Sequence, residues 1–220
     1  MARSIWRAMK TYQELLAGYD RFRSGDWKRQ HDRWEELKEG QSPQVMIIAC
    51  SDSRVDPAQI FDVDPGEIFV GRNVEAMVPP YETTPGQHGV SAALEFAVEF
   101  LKVRHVMVMG HGMCGGCKAA LTKSMHGAAP GEGGFIDKWV GLLDAARDPI
   151  AAELGTEGRV AERAMEQAAV KVSLANLRSF PNIADKEARG ELYLHGAFFA
   201  ITDGVLHLLD QESGEFAPAS

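Results

Sequence analysis

The first part of the chain carries helical patterns that are too polar to form a core alone. Five apolar residues recur at helical spacing, namely Trp6, Met9, Tyr12, Leu15 and Leu16. A charged stretch with two more tryptophans follows, and we predict two helices within residues 5–38. Helices of this kind need something to pack on, so this N-terminal arm is expected to lie on its own domain or on a second subunit.

Residues 45–146 alternate between strand and helix patterns. Val45 to Cys50 is a continuous apolar run, typical of a strand buried on both faces of a parallel sheet. Glu67 to Val70 and Arg104 to Met109 read as two further strands. Helices are predicted over residues 89–102, 117–125 and 135–146, and Gly110 to Gly116 reads as a glycine-rich turn.

The last third of the chain predicts one long helix and a hairpin. The helix covers Gly158 to Phe180 and is expected to end at Pro181. Two strands follow, Glu191 to Ile201 and Val205 to Leu209, joined at Thr202-Asp203-Gly204. The pattern therefore predicts an α/β fold: a parallel-centred β-sheet flanked by helices, with an N-terminal helical arm and a C-terminal hairpin extension.

Length and charge narrow the class of protein. The 220 residues suggest a single domain, which we divide into the arm (1–38) and an α/β domain (39–220). A formal net charge of −8 argues against nucleic-acid or anionic-membrane partners, since both require a basic surface. Three cysteines cannot all form disulfides, which favours a reducing compartment. No apolar run is long enough to span a bilayer, and the start of the sequence lacks the pattern of a secretory signal peptide. We therefore expect a cytoplasmic protein.

Metal-ligating side chains follow two of the predicted strands. Cys50 ends the first strand, and His111 and Cys114 come after the third. The carboxyl ends of parallel strands meet at one edge of the sheet, so these three side chains are expected to converge. Two thiolates and one imidazole suit zinc, and three protein ligands leave a fourth position for water or substrate. The sequence thus predicts a catalytic zinc site.

Asp52 and Arg54 lie next to the first ligand. Zinc with two thiolates and a neutral imidazole carries no net charge and should acidify water less than a three-histidine site does. Asp52 can orient a hydroxide, and Arg54 can hold Asp52 by a charge-assisted pair. This predicts two states: Asp52 on Arg54 leaves the metal open, and Asp52 on the metal closes it.

Several sequence motifs resemble the β-class carbonic anhydrases. The most specific are CSDSRVDP (50–57) and HGMCGG (111–116), which together carry the Cys-x-Asp-x-Arg and His-x-x-Cys patterns. Further similar stretches are GQSP (40–43), GRNV (71–74), VPPYE (78–82), SAALEFAV (91–98), SLANLRSFP (173–181) and GELYLHGAFF (190–199). The resemblance runs from about residue 40 to about residue 205.

The resemblance implies a zinc lyase, carbonate dehydratase. It implies one zinc ion per chain on Cys50, His111 and Cys114, with the Asp52–Arg54 pair beside it. The implied reaction is reversible hydration of CO₂ to bicarbonate and a proton by attack of zinc-bound hydroxide. It further implies a homodimer or a higher homo-oligomer with N-terminal helices reaching over the partner. The substrate-binding residues that it implies are Gln41, Phe69, Val74, Phe96 and Gly115.

Two residues depart from the family pattern near this site. Glu75 stands where the family often carries alanine, and an added carboxylate there can alter the pH dependence or the dimer contact. Cys117 stands where many members carry an aliphatic residue. Cys114-x-x-Cys117 has the spacing of a redox motif, but we expect Cys114 on zinc and Cys117 as a packed side chain.

Three other functions remain open at this point. The same zinc site could hydrolyse a CO₂ analogue such as carbonyl sulfide or carbon disulfide. A non-catalytic relative is disfavoured by the intact ligands, Asp52 and Arg54. A thiol oxidoreductase would need Cys114 and Cys117 free of metal, which zinc analysis with thiol titration would test.

Overall fold

The structure is a computed structural model that describes residues 10–219. It divides into two compact units, one ending at Gln41 and the other starting at Ser42. Trp6 and Met9, used above to predict the first helix, lie outside the described residues.

The N-terminal unit is helical, as the pattern predicts, but its described part, residues 10–41, has three helices. They are α1 (Tyr12–Ser24), α2 (Asp26–Arg29) and α3 (His31–Leu37). Thr11 starts α1 with a capping box: its hydroxyl accepts the Glu14 N–H (3.2 Å), and the Glu14 carboxylate accepts the Thr11 N–H (2.6 Å). Gly25 has a non-helical backbone (φ −110°, ψ −88°) and ends α1. The arm is therefore divided into more helices than the two that the sequence pattern predicts.

The C-terminal unit contains one six-stranded sheet. Its strands are β1 (Val45–Cys50), β2 (Ile68–Asn73), β3 (His105–His111), β4 (Tyr193–Ala200), β5 (Val205–Leu209) and β6 (Phe216–Pro218). The order is β2-β1-β3-β4-β5-β6; the first four strands run parallel, and β5 and β6 are antiparallel. The parallel-centred sheet and its hairpin extension are therefore confirmed, and β6 adds an edge strand that the sequence pattern did not predict.

Helices cover the sheet. They are α4 (Pro57–Ile60), α5 (Gly89–Glu95), α6 (Gly115–Thr122), α7 (Gly134–Val140), α8 (Asp144–Leu154), α9 (Arg159–Leu177) and α10 (Pro181–Ala188). A π-helical turn at Phe96–Phe100 extends α5, and single 3₁₀ turns occur at Val74–Ala76 and Gly141–Leu143. None of the helices within residues 10–219 is long and apolar enough to cross a bilayer.

The helix α9 packs on β3 and β4 and forms the centre of the core. Its buried apolar residues are Ala161, Met165, Ala169, Val170, Leu174 and Leu177. The approach to β3 is close: a Cβ atom built on Gly110 would lie 2.7 Å from Cγ2 of Val170. Gly110 therefore serves as a packing position within β3, and the glycine-rich turn predicted to start there begins only after His111.

Two other boundaries differ from the prediction for identifiable reasons. The strand β2 continues through the polar Arg72 to Asn73, because it stays in register with β1 up to Cys50. Pro181 does not simply end a helix, since it occupies the first turn of α10, where a missing N–H costs nothing.

Candidate metal centre

Three ligand side chains predicted from distant parts of the sequence meet at one edge of the sheet. Cys50 is the last residue of β1, and His111 is the last residue of the neighbouring β3. Cys114 follows as the N-cap of α6. All three residues are buried, and one donor atom from each lies within 4.8 Å of the other two. The predicted convergence of Cys50, His111 and Cys114 is therefore present in the fold.

The His111 ring is oriented so that one nitrogen is free for a metal. Nδ1 lies 2.9 Å from the carbonyl oxygen of Gly112, so we assign the proton to Nδ1, which donates to that oxygen. Nε2 is buried and has no hydrogen-bond partner among the described residues. A buried, unpaired imidazole nitrogen beside two thiols is a donor set that fits zinc, and the outer hydrogen bond fixes the tautomer that zinc requires.

The two ligand thiols are neutral without a metal. A hydrogen bond with Cys114 and burial together raise the pKa of the Cys50 thiol to about 12. A hydrogen bond with Cys117, together with burial, raises the pKa of Cys114 above the ordinary thiol value. Ligation requires thiolates, so a binding cation must displace these protons.

Asp52 lies on Arg54 in the arrangement predicted for the open state. The Arg54 side chain donates to both carboxylate oxygens, from Nε to Oδ1 (2.9 Å) and from Nη2 to Oδ2 (2.6 Å), and its backbone N–H also donates to Oδ1 (2.9 Å). These bonds lower the pKa of Asp52 to about 2, against partial burial. Oδ2 remains 4.0 Å from Nε2 of His111. Asp52 is thus an ionised acceptor at the rim of the ligand set.

Arg72 shapes the loop that carries Cys50 and Asp52. Its guanidinium donates to the carbonyl oxygens of Cys50 (2.9 Å), Asp52 (2.7 Å) and Val55 (3.0 Å), and to the carboxylate of Asp56 (3.0 Å). The sequence reading places Arg72 after the strand that was predicted to end at Val70, within the GRNV stretch, and assigns it no role in the site. Its partners depend on the β1–β2 register, which the sequence pattern does not supply.

Glu166 was also missed, although the sequence contains a signal for it. It lies on the buried side of α9, next to Met165 and four residues before Val170. Its carboxylate accepts the backbone N–H of Met113 (2.7 Å) and Cys114 (3.4 Å) and pairs with Arg159 (3.3 Å). Burial raises the pKa of Glu166, while Arg159 opposes that shift. A glutamate on the apolar stripe of a helix was the available signal.

Glu75 and Cys117, the two departures from the family pattern, lie together beside the site. The Glu75 side chain is buried, and neither oxygen accepts an N–H or O–H hydrogen bond within the described part of the chain. The Cys117 thiol is its polar neighbour, and burial raises the pKa of Glu75 to about 8. Glu75 also has a left-handed backbone (φ 69°), and a Cβ on Gly116 would come within 2.4 Å of its Cγ.

The predicted substrate-binding residues fall into two places. Gly115 opens α6 directly after Cys114, and Val74 follows the strand end where Asn73 pairs with Cys50. Phe69 pairs instead with Met46 and packs against Phe96, with ring centroids 5.9 Å apart.

Phe69 and Phe96 therefore lie further back along the sheet from the metal ligands of their own chain than Val74 does. Gln41 belongs to the N-terminal unit, and its part in the site stays a prediction.

Comparison with known proteins gives a consistent result. The family model described as carbonic anhydrase matches residues 45–206. "Beta carbonic anhydrase 3" of Arabidopsis thaliana is 31% identical over 199 residues, which is 89% of this chain and 76% of that protein.

Solved structures agree with this match. The beta-carbonic anhydrase CcaA aligns with a TM-score of 0.86 at 31% identity, covering 94% of this chain and 98% of that one. A Coccomyxa beta-carbonic anhydrase solved with acetazolamide gives 0.77 at 28% identity, covering 91% and 87%. A tetrameric beta-carbonic anhydrase from Sordaria macrospora gives 0.76 at 26% identity, covering 90% and 96%.

Proposed function

Because the chain belongs to the β-class carbonic anhydrase family, we propose that it hydrates CO₂ reversibly at the site formed by Cys50, His111 and Cys114. The observation that carries this proposal is the buried, convergent Cys-His-Cys donor set with an ionised Asp52 at its rim. Zinc is the cofactor of this family, and the free Nε2 of His111 and the two thiols provide its ligands. When bound, zinc lowers the pKa of a coordinated water and so supplies a nucleophile near neutral pH.

Asp52 has two tasks in the proposed reaction. Its Oδ2, 4.0 Å from Nε2 of His111, can accept a hydrogen bond from a water at the ligand set and orient that water toward CO₂. The Arg54 guanidinium donates one hydrogen bond to each oxygen of the Asp52 carboxylate, and it also donates to the carbonyl oxygen of Met113 (3.0 Å). Arg54 would thereby keep Asp52 from becoming a further ligand of a zinc ion held by Cys50, His111 and Cys114.

The substrate side of the pocket combines apolar side chains with one helix terminus. Val74 offers an apolar surface suited to uncharged CO₂, and Gly115 lies in the first turn of α6. N–H groups in the first turn of a helix have no partner within it, and they favour an anion such as bicarbonate. We propose that Phe69 and Phe96 line a substrate pocket in the assembled dimer, and Gln41 stays a proposed substrate-binding residue on the resemblance alone.

A homodimer is part of the proposal. Phe96 and Phe100 stack with ring centroids 5.8 Å apart and are 45% and 69% exposed. Val70 of the edge strand β2 is also exposed. Apolar exposure of this kind marks an interaction surface, and a second copy of the chain is the partner we propose. The three free thiols suit a cytoplasmic location.

A stopped-flow CO₂ hydration assay on zinc-loaded protein tests the proposed activity. We expect rapid CO₂ hydration, and about 100-fold less in Asp52→Asn, which keeps its zinc but loses the negative charge and replaces one acceptor oxygen with an N–H donor. Carbonyl sulfide and carbon disulfide are offered in parallel as competing substrates. The proposal fails if CO₂ is not hydrated, or if either sulfur compound is turned over faster than CO₂. Wild-type turnover in Asp52→Asn would remove the role given to Asp52.

A further inference from the structure

The turn between His111 and Cys114 has its backbone polar groups held from several sides. Gly112 donates its N–H to the carbonyl oxygen of Phe199 (2.9 Å) and accepts a hydrogen bond from His111 Nδ1 (2.9 Å). The carbonyl oxygen of Met113 accepts a hydrogen bond from the Arg54 guanidinium (3.0 Å). Met113 has a left-handed backbone (φ 58°), which a residue with a side chain adopts only where its surroundings hold it.

Glu166 supplies the remaining contact. Its Oε1 accepts the N–H of Met113 at 2.7 Å and lies 3.4 Å from the N–H of Cys114. The carboxylate is fixed in turn by Arg159, whose guanidinium lies 3.3 Å from Oε1 and 3.4 Å from Oε2. The Glu166 side chain is 1% exposed, so water cannot readily replace it as an acceptor. This one side chain therefore connects the α9 core helix to the backbone of a metal ligand.

We propose that Glu166 is a positioning residue for Cys114, acting as a long-reach hydrogen-bond acceptor that holds the His111–Cys114 turn in its metal-binding shape. This inference rests on the proposed zinc site and concerns its geometry, not the identity of the substrate. The same residue, Met113, donates its N–H to Glu166 and accepts from Arg54 at its carbonyl oxygen. By fixing Met113, Glu166 therefore also fixes the carbonyl oxygen to which the Arg54 of the Asp52–Arg54 pair donates.

Two substitutions separate reach from charge. Glu166→Gln keeps the side-chain length and one carbonyl oxygen that can accept the Met113 N–H, but it loses the charge facing Arg159. Glu166→Asp keeps the charge but is one methylene shorter, so it cannot maintain the 2.7 Å contact from the same helix position. If Glu166 acts only as an ion-pair partner of Arg159, Glu166→Gln should be the more damaging variant. If it acts as the acceptor that positions Cys114, Glu166→Asp should be the more damaging one.

The test measures zinc loss to a competing chelator from the zinc-loaded, full-length protein, together with the visible spectrum of the cobalt-substituted form. We expect Glu166→Asp to lose zinc at least 10-fold faster than wild type and to change the thiolate-to-cobalt bands, within the range typical of residues that support metal ligands. Glu166→Gln should stay within about 3-fold of wild type and keep the spectrum. Glu162→Gln is the matched control, since Glu162 also pairs with Arg159 from α9, and it should match wild type.

The other outcomes overturn the proposal. An aspartate variant equal to wild type shows that reach is unimportant, and a glutamine variant worse than the aspartate one assigns the effect to charge. Equal damage in both variants assigns it to packing at this position. These readouts involve no CO₂, so an enzyme that failed to hydrate CO₂ would contradict the proposed function and leave this test intact.

Discussion

At the scale of single residues, burial and hydrogen bonding set the charge of each group around the metal ligands. Asp52 stays ionised through the neutral range because Arg54 holds its pKa at about 2. Glu75 does the reverse: burial without an N–H or O–H partner raises its pKa to about 8. The two carboxyl groups therefore differ in charge over most of the range in which the protein would be studied.

Glu75 should make the stability of the protein depend on pH. Its pKa rises from 4.5 to about 8 on folding, so the folded state keeps a proton that the unfolded state releases between these values. The contribution of Glu75 to stability is complete below pH 4.5 and is lost as pH rises through 8. Glu75→Gln removes the ionisable group, so its free energy of unfolding should gain a few kcal/mol relative to wild type between pH 5 and pH 9.

Denaturant unfolding of both zinc-loaded proteins at pH 5 and pH 9 checks this expectation. The quantity to compare is the difference in free energy of unfolding between variant and wild type, because pH affects the zinc ligands of both proteins equally. A difference that stays constant over this range would show that Glu75 does not carry the raised pKa.

At the scale of elements, the sequence predicts best where one apolar pattern decides the outcome. Val45 to Cys50 was predicted with both ends correct, because a short apolar run that follows a Gly/Pro break and contains β-branched residues favours a buried strand. The metal ligands could be predicted because they lie at or just after the carboxyl ends of two neighbouring parallel strands. The roles of Arg72 and Glu166 were missed, because each depends on contacts between segments far apart in sequence.

The contact between α9 and β3 gives a stability prediction at this scale. Gly110→Ala would place a Cβ 2.7 Å from Val170 Cγ2 in a fully packed core, and we expect a loss of about 1–3 kcal/mol. Gly141→Ala is the control, since a Cβ there meets nothing within 4 Å and the backbone has an ordinary φ of −57°. Denaturant unfolding measures both. Equal stability of the two variants would show that the glycine at 110 is not required by packing.

At the scale of the whole molecule, the predicted pocket residues suggest how copies are arranged. Phe69 and Phe96 do not lie beside the metal ligands of their own chain as Val74 does, and Phe96 stacks on the exposed Phe100. No sequence pattern distinguishes a pocket residue of one chain from a surface residue that a second copy covers. The resemblance could name these residues, but only the sheet register reveals where they lie.

A charge introduced on this surface should dissociate the proposed dimer. We expect Phe100→Glu to shift the mass measured by light scattering toward that of one chain, since a buried unpaired carboxylate opposes association. Phe135→Glu is the matched control, because Phe135 is 71% exposed on α7 and Phe100 is 69% exposed. A dimer that survives Phe100→Glu but not Phe135→Glu would place the interface elsewhere.

The most direct test of the account is X-ray absorption at the zinc edge of the loaded protein. Ligation by Cys50, His111 and Cys114 predicts two sulfur neighbours at about 2.3 Å and two nitrogen or oxygen neighbours at about 2.0–2.1 Å. Cys50→Ala should not retain zinc, and one equivalent of tightly held zinc in that variant would also contradict the assignment. A wild-type site with three sulfurs, or with none, would contradict the ligand assignment on which the proposed function depends.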